Sequence, residues 1–124
     1  MFSGDVVITE PCPGLRDGSV GEWLRALEWI DRLPVDTIVP GHGEVCGKED
    51  ARKLKAYLAG LWEIMERLVG AEVGAEKAAA DAAFEKYFWA DTSRGTHWLE
   101  HRRFTFRRGV ERLYDEVKTS TATP

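Results

Sequence analysis

The chain has little of what would make it anything but a small globular domain. Only two of its 124 residues are cysteine, Cys12 and Cys46, too few for a disulfide framework, and no C-x-x-C spacing marks a zinc knuckle or a redox motif. They read as reduced thiols of a cytoplasmic protein. No stretch approaches the roughly 18 consecutive apolar residues of a membrane span. Residues 1–11 lack a basic amino-terminal region and are interrupted by Asp5, so no secretory signal is read there. An excess of positive charge is also missing: 17 Lys and Arg against 21 Asp and Glu give a net charge of -4. That balance excludes a surface wholly shaped to hold nucleic acid or anionic lipid. There is no internal repeat and no low-complexity tract.

What is present is ordinary globular composition, 44% apolar and 31% charged. The length suits one compact domain, which would bury roughly 65 to 70% of the surface its unfolded chain exposes. Val6, Val7, Ile8 and Thr9 are strand formers around a Gly4-Asp5 pair, so residues 1–9 are expected to form a strand. A loop with Pro11, Pro13, Gly14 and Gly18 follows. Ser19 with Glu22 three positions on forms a capping box that opens a helix, in which Trp23, Leu27 and Ile30 recur at helical spacing and Leu24 widens the stripe. Pro34 stops it. The β-branched run at residues 36–40 reads as a buried strand ending in the turn Pro40-Gly41-His42-Gly43.

Strand, helix, strand within some forty residues is a βαβ unit, with parallel strands and ligands expected at their carboxyl ends. From 48 to about 73, Leu54, Tyr57, Leu58, Leu61, Trp62, Met65, Leu68 and Val69 follow the rhythm of an amphipathic helix. Residues 75–87 are Ala-rich and helix-prone, and a last helix is expected from about 96 to 117 on Leu99, Phe106, Val110, Leu113 and Val117. Residues 119–124 read as a frayed polar tail.

Met1-Phe2-Ser3-Gly4-Asp5 and Val39-Pro40-Gly41-His42-Gly43, in that order with an amphipathic helix between them, resemble the two late metal-binding motifs of the metallo-β-lactamase superfamily. The resemblance covers about the first 70 residues. It implies an α/β chain with part of the metallo-β-lactamase (αββα) fold, a βαβ unit followed by long C-terminal helices. Residues 1–73 would be the C-terminal part of that domain, 74–118 a helical extension and 119–124 a disordered tail. It further implies that Asp5 bridges two metals and that His42 ligates the second. Zinc is the expected metal, two ions in the complete family site, with iron as the alternative.

The residue types suit that chemistry. A carboxylate can bridge two zinc ions, a neutral imidazole donates one nitrogen, and glycines at 41 and 43 allow a sharp turn beside the ion. In the family a metal-bound hydroxide attacks a lactam, thioester, lactone or similar ester of a small-molecule substrate. The family's His-x-His-x-Asp-His signature and a further His belong upstream of Asp5, and this sequence begins at Met1. The expectation is therefore the C-terminal portion of a longer hydrolase, inactive by itself, since a catalytic zinc takes three protein ligands and water.

Two further patterns carry a mechanism. His97-Trp98-Leu99-Glu100-His101 spells H-x-x-E-H, the inverted zinc-protease string, which needs a distant third acidic ligand, with Glu111 and Glu116 as candidates merely by their presence. Those proteases are much larger, so a solvated or edge-packed helix is the reading taken. Arg94, Arg102, Arg103, Arg107, Arg108 and Arg112, interleaved with Phe104 and Phe106, would suit phosphate tracking, but a charged solvent face is the reading taken. Trp23, Trp29, Trp62, Trp89 and Trp98 suit core and interface packing. Two strands and four helices leave apolar edges uncovered, so self-association is expected. The rival to a hydrolase is a non-catalytic module whose helices at 48–73 and 96–117 dock on a partner protein.

Overall fold

A computed structural model of the chain describes residues 1–8, 13–15, 19–42 and 44–122, apart from the side chains of Asp5, His42 and Ala122. The elements run β1 (Phe2–Ile8), α1 (Val20–Arg32), β2 (Val39–His42), α2 (Lys48–Gly70), α3 (Ala75–Ala79) and α4 (Thr96–Ala122). Two 3₁₀ turns, Ala82–Tyr87 and Thr92–Arg94, lie between α3 and α4. The fold is thus mixed α/β and mostly helical.

β1 and β2 pair in parallel with α1 between them, so the βαβ unit is present. The register sets Phe2 against Val39, Gly4 against Pro40 and Ile8 against His42. Four steps along β1 therefore match two along β2, and β1 must bulge. Gly4 sits at the irregularity with φ +57, a backbone state that glycine adopts without strain. The second strand begins three residues later than the expected 36–40. Pairing starts where the Val39 N–H donates to the Met1 carbonyl at 2.7 Å, while Ile38 exchanges both backbone hydrogen bonds with Cys46. Pro40 is tolerated within the strand because in a two-stranded sheet each strand is an edge. The shift brings Gly41 and His42 into β2 rather than past its end.

α1 has the expected limits. The Ser19 hydroxyl accepts the Glu22 N–H at 3.2 Å, and Leu33 before Pro34 is already extended. α2 buries Leu54, Leu58, Leu61 and Met65 as the periodicity requires, together with Ala51 and Ile64. Tyr57, Trp62, Leu68 and Val69 are partly buried against the same core. α2 lies along α1, with Arg52 on Asp31 at 2.6 Å and Lys55 on Glu28 at 3.5 Å at their exposed margin. The Ala-rich segment does not form one helix. Asp81 accepts the Ala83 N–H at 2.8 Å and caps a new 3₁₀ turn, so its side chain competes with continuation of α3.

α4 is longer than expected. Residues 119–122 are helical rather than a tail, since nothing before Pro124 breaks the pattern, and Thr123 and Pro124 lie outside the described residues. One hydrophobic core draws on every layer: Val7 of β1, Leu27 and Ile30 of α1, Ile38 directly before β2, Leu58, Leu61 and Met65 of α2, and Val110, Leu113 and Val117 of α4 are all essentially inaccessible.

Two contacts seat α4 on the βαβ unit. Gly109 is buried where residues 13–15 cross it, and a Cβ there would lie 2.7 Å from the Leu15 Cβ, too close for two carbons. Two turns on, the Glu116 carboxylate caps α1. It accepts the Ser19 hydroxyl at 2.6 Å, the Gly21 N–H at 2.8 Å and the Val20 N–H at 3.1 Å. These are charge-assisted bonds at the positive end of a helix dipole. Glu116→Ala is expected to lower the unfolding free energy by about 2 kcal/mol. Glu116→Gln, which keeps an acceptor but not the charge, should lose roughly half as much. Denaturant titration followed by circular dichroism measures both.

Candidate functional site

The two positions singled out by the motifs lie on neighbouring strands. Asp5 follows Gly4, which pairs with Pro40, and His42 pairs with Ile8. Their backbones are thus about 5 Å apart across the sheet and no more than about 7 Å along it, from the spacing of strands and of residues within them. His42 ends β2, at the side of the sheet where α/β folds gather ligands, while Asp5 lies mid-strand in β1, three residues before the Ile8 that pairs with His42. Where the Asp5 and His42 side chains go lies outside the described residues, as do residues 9–12, 16–18 and Gly43 of the adjoining loops. The expected site-bordering loop at 10–18 is described only at residues 13–15.

The backbone around Asp5 is held on both sides. The Trp23 indole N–H donates to the Val6 carbonyl at 2.6 Å, fastening β1 to α1. The Ser3 hydroxyl reaches the Val39 carbonyl at 3.4 Å on the other strand. Trp23 therefore does more than fill the core.

A carboxylate and an imidazole are suitable donors for zinc or iron. Two donors, however, fall short of the three protein ligands a catalytic zinc takes. Among the described residues no group of three His, Cys, Asp or Glu side chains is arranged to hold a metal. The nearest thiol in sequence, Cys46, is half-buried in the bridge to Ile38. Burial first, and the Asp50 carboxylate second, push its thiol above the ordinary range. At neutral pH it is a neutral thiol, poorly suited to be a ligand or a nucleophile.

His97, Glu100 and His101 lie exposed on the first turns of α4. Neither acidic candidate joins them: Glu116 is engaged at α1, and Glu111 pairs with Arg107 at 3.5 Å and Arg108 at 3.3 Å. Trp98 stacks under the Arg94 guanidinium at 3.8 Å, with Arg102 at 5.8 Å. Arg103 lies over the Phe88 ring at 4.3 Å and pairs with Glu85 at 3.3 Å. Several of the arginines of 94–112 thus face rings and carboxylates of their own chain.

No protein-family model matches the chain, and no curated protein matches it. The residues that motif reasoning passed over are the structural ones. Glu116 was weighed only as a metal ligand, yet its place on the apolar stripe between Leu113 and Val117 is the mark of a polar group facing inward. A groove between residues 79–88 and α4, lined by Phe84, Phe88, Phe104, Phe106 and Val110 among others, had no sequence signature beyond scattered phenylalanines.

Because its thiol is raised, Cys46 should react slowly with iodoacetamide at pH 7.5. In a Cys12→Ser variant its alkylation rate should rise with pH through a midpoint above that of a free cysteine, and unfolding in urea should bring the midpoint down.

Proposed function

We propose that this chain carries the C-terminal half of a metal-dependent hydrolase site of the metallo-β-lactamase type, acting on a lactam, thioester, lactone or similar ester. The observation that carries the reading is the register, which puts Asp5 and His42 on paired parallel strands, Gly4 opposite Pro40 and Ile8 opposite His42. Either string alone is common in loops. Their juxtaposition through a crossover helix supports a shared cation.

Asp5 and His42 would hold that cation, zinc or iron. When bound, it supplies Lewis-acid chemistry, lowering the pKa of water and polarising a substrate carbonyl. This chain's residues contribute placement. Gly4 lets β1 bulge directly before Asp5, and the Trp23 indole fixes the carbonyl directly after it. Two donors leave the cage incomplete, so the chain alone is expected to be inactive. A cytoplasmic location goes with the reading. No described helix is long and apolar enough to cross a membrane.

Metal titration tests the pair without requiring activity. Zinc or cobalt should bind the chain weakly, at one equivalent, and Asp5→Ala or His42→Ala should each weaken binding by at least about tenfold. His97→Ala should leave it unchanged. Binding that ignores both Asp5 and His42, or no binding at millimolar metal, overturns the proposal.

A further inference from the structure

Independently of any metal, we propose that the groove between residues 79–88 and α4 is a homodimer interface, in which Phe104 of each copy fills the groove of the other. The groove encloses about 370 Å³, enough for an aromatic side chain with its flanking residues. Its floor is apolar: Phe84 and Val110 are almost wholly buried, and Phe88 and Phe106 meet edge to face at 5.5 Å. Phe104 lines the same groove yet is 57% exposed, one of the few large apolar side chains left in water.

A knob and a hole in one patch are what a two-fold interface requires. Such an interface is self-complementary, so each copy must present both halves of the contact. The charges on the groove obey the same rule. The charged residues lining it are two of each sign, Arg103 and Arg107 with Asp81 and Glu85; within the chain Arg103 pairs with Glu85 and Arg107 with Glu111. A balanced patch gives an anionic polymer no net attraction, which disfavours nucleic acid as the occupant. A second copy rotated by half a turn can set arginine opposite glutamate on both sides. Arg103 is already oriented for this, held by Glu85 and by the face of Phe88, so little side-chain freedom remains to be lost on association. Aromatic and arginine side chains are also the types that dominate interface energetics.

The surface differs from the sheet edge first suspected. Phe2 on β1 is 85% exposed and Trp29 on α1 is 59% exposed. They serve as controls.

Sedimentation velocity of the full chain over a concentration series should show a monomer-dimer equilibrium. Phe104→Glu should raise the dimer dissociation constant at least about thirtyfold while leaving the thermal melt of the monomer unchanged, because the side chain is largely outside the core. Phe2→Glu and Trp29→Glu should leave dimerisation as it is. Arg103→Glu and Glu85→Arg, each weakly associating alone, should form a heterodimer when mixed, since each repulsive contact becomes attractive. A monomer at every concentration up to about 1 mM overturns the proposal, as does a dimer indifferent to Phe104→Glu or lost with Phe2→Glu or Trp29→Glu. Failure of the two charge-reversed chains to pair overturns the two-fold geometry and the proposal with it.

Discussion

The carboxylate of Glu116 at the start of α1 is the constraint on which the arrangement rests. The first four N–H groups of a helix have no partner within it. Here Ser19 satisfies one, and a residue 95 positions away from Gly21 satisfies two more. Capping from such a distance carries a large loop-closure cost, so it holds only because α4 is already packed. Leu113 and Val117, on either side of Glu116, are buried. The cap and the core therefore depend on each other. From α1 the order passes to β1 through the Trp23 indole and from β1 to β2 through the parallel ladder, so the strands carrying Asp5 and His42 are tied to a side chain of the last helix.

Much of this order was legible in the amino-acid pattern wherever the determinant is local. Ser19 as a cap and Pro34 as a stop act within a turn of their own position, and the α2 stripe of Leu54, Leu58, Leu61 and Met65 repeats often enough to set its own phase. The failures have a common cause. β2 begins at Val39 because of what Met1 and Cys46 offer across space, which a β-branched run at 36–40 does not contain. Asp81 breaks the Ala-rich segment because its carboxylate finds the Ala83 N–H, a choice between two local structures that alanine content alone does not decide. Residues 119–122 stay helical because Thr, Ser and Ala merely weaken a helix without ending it.

For the site, the sequence showed which residue types could meet, and the register shows that they lie on paired strands, with Ile8 rather than Asp5 opposite His42. Glycine spacing made the positions conspicuous, and Gly4 takes up the left-handed conformation at the irregularity directly before Asp5. The H-x-x-E-H string was conspicuous for the same reason of spacing, but spacing on a helix establishes only a shared face. Whether that face meets a third ligand depends on tertiary packing, and packing directs Glu116 to α1 and Glu111 to two arginines.

α4 thus carries two unlike faces. At 100° per residue, Phe104 lies roughly 180° around the helix from Leu113, which points into the core. The inner face cannot turn without withdrawing Glu116 from three donors and pressing a new side chain into Leu15 where Gly109 now gives way. The outer face is therefore presented in one orientation rather than many. A partner that engages it in this orientation stabilises, by mass action, the state in which α4 is seated and α1 is capped.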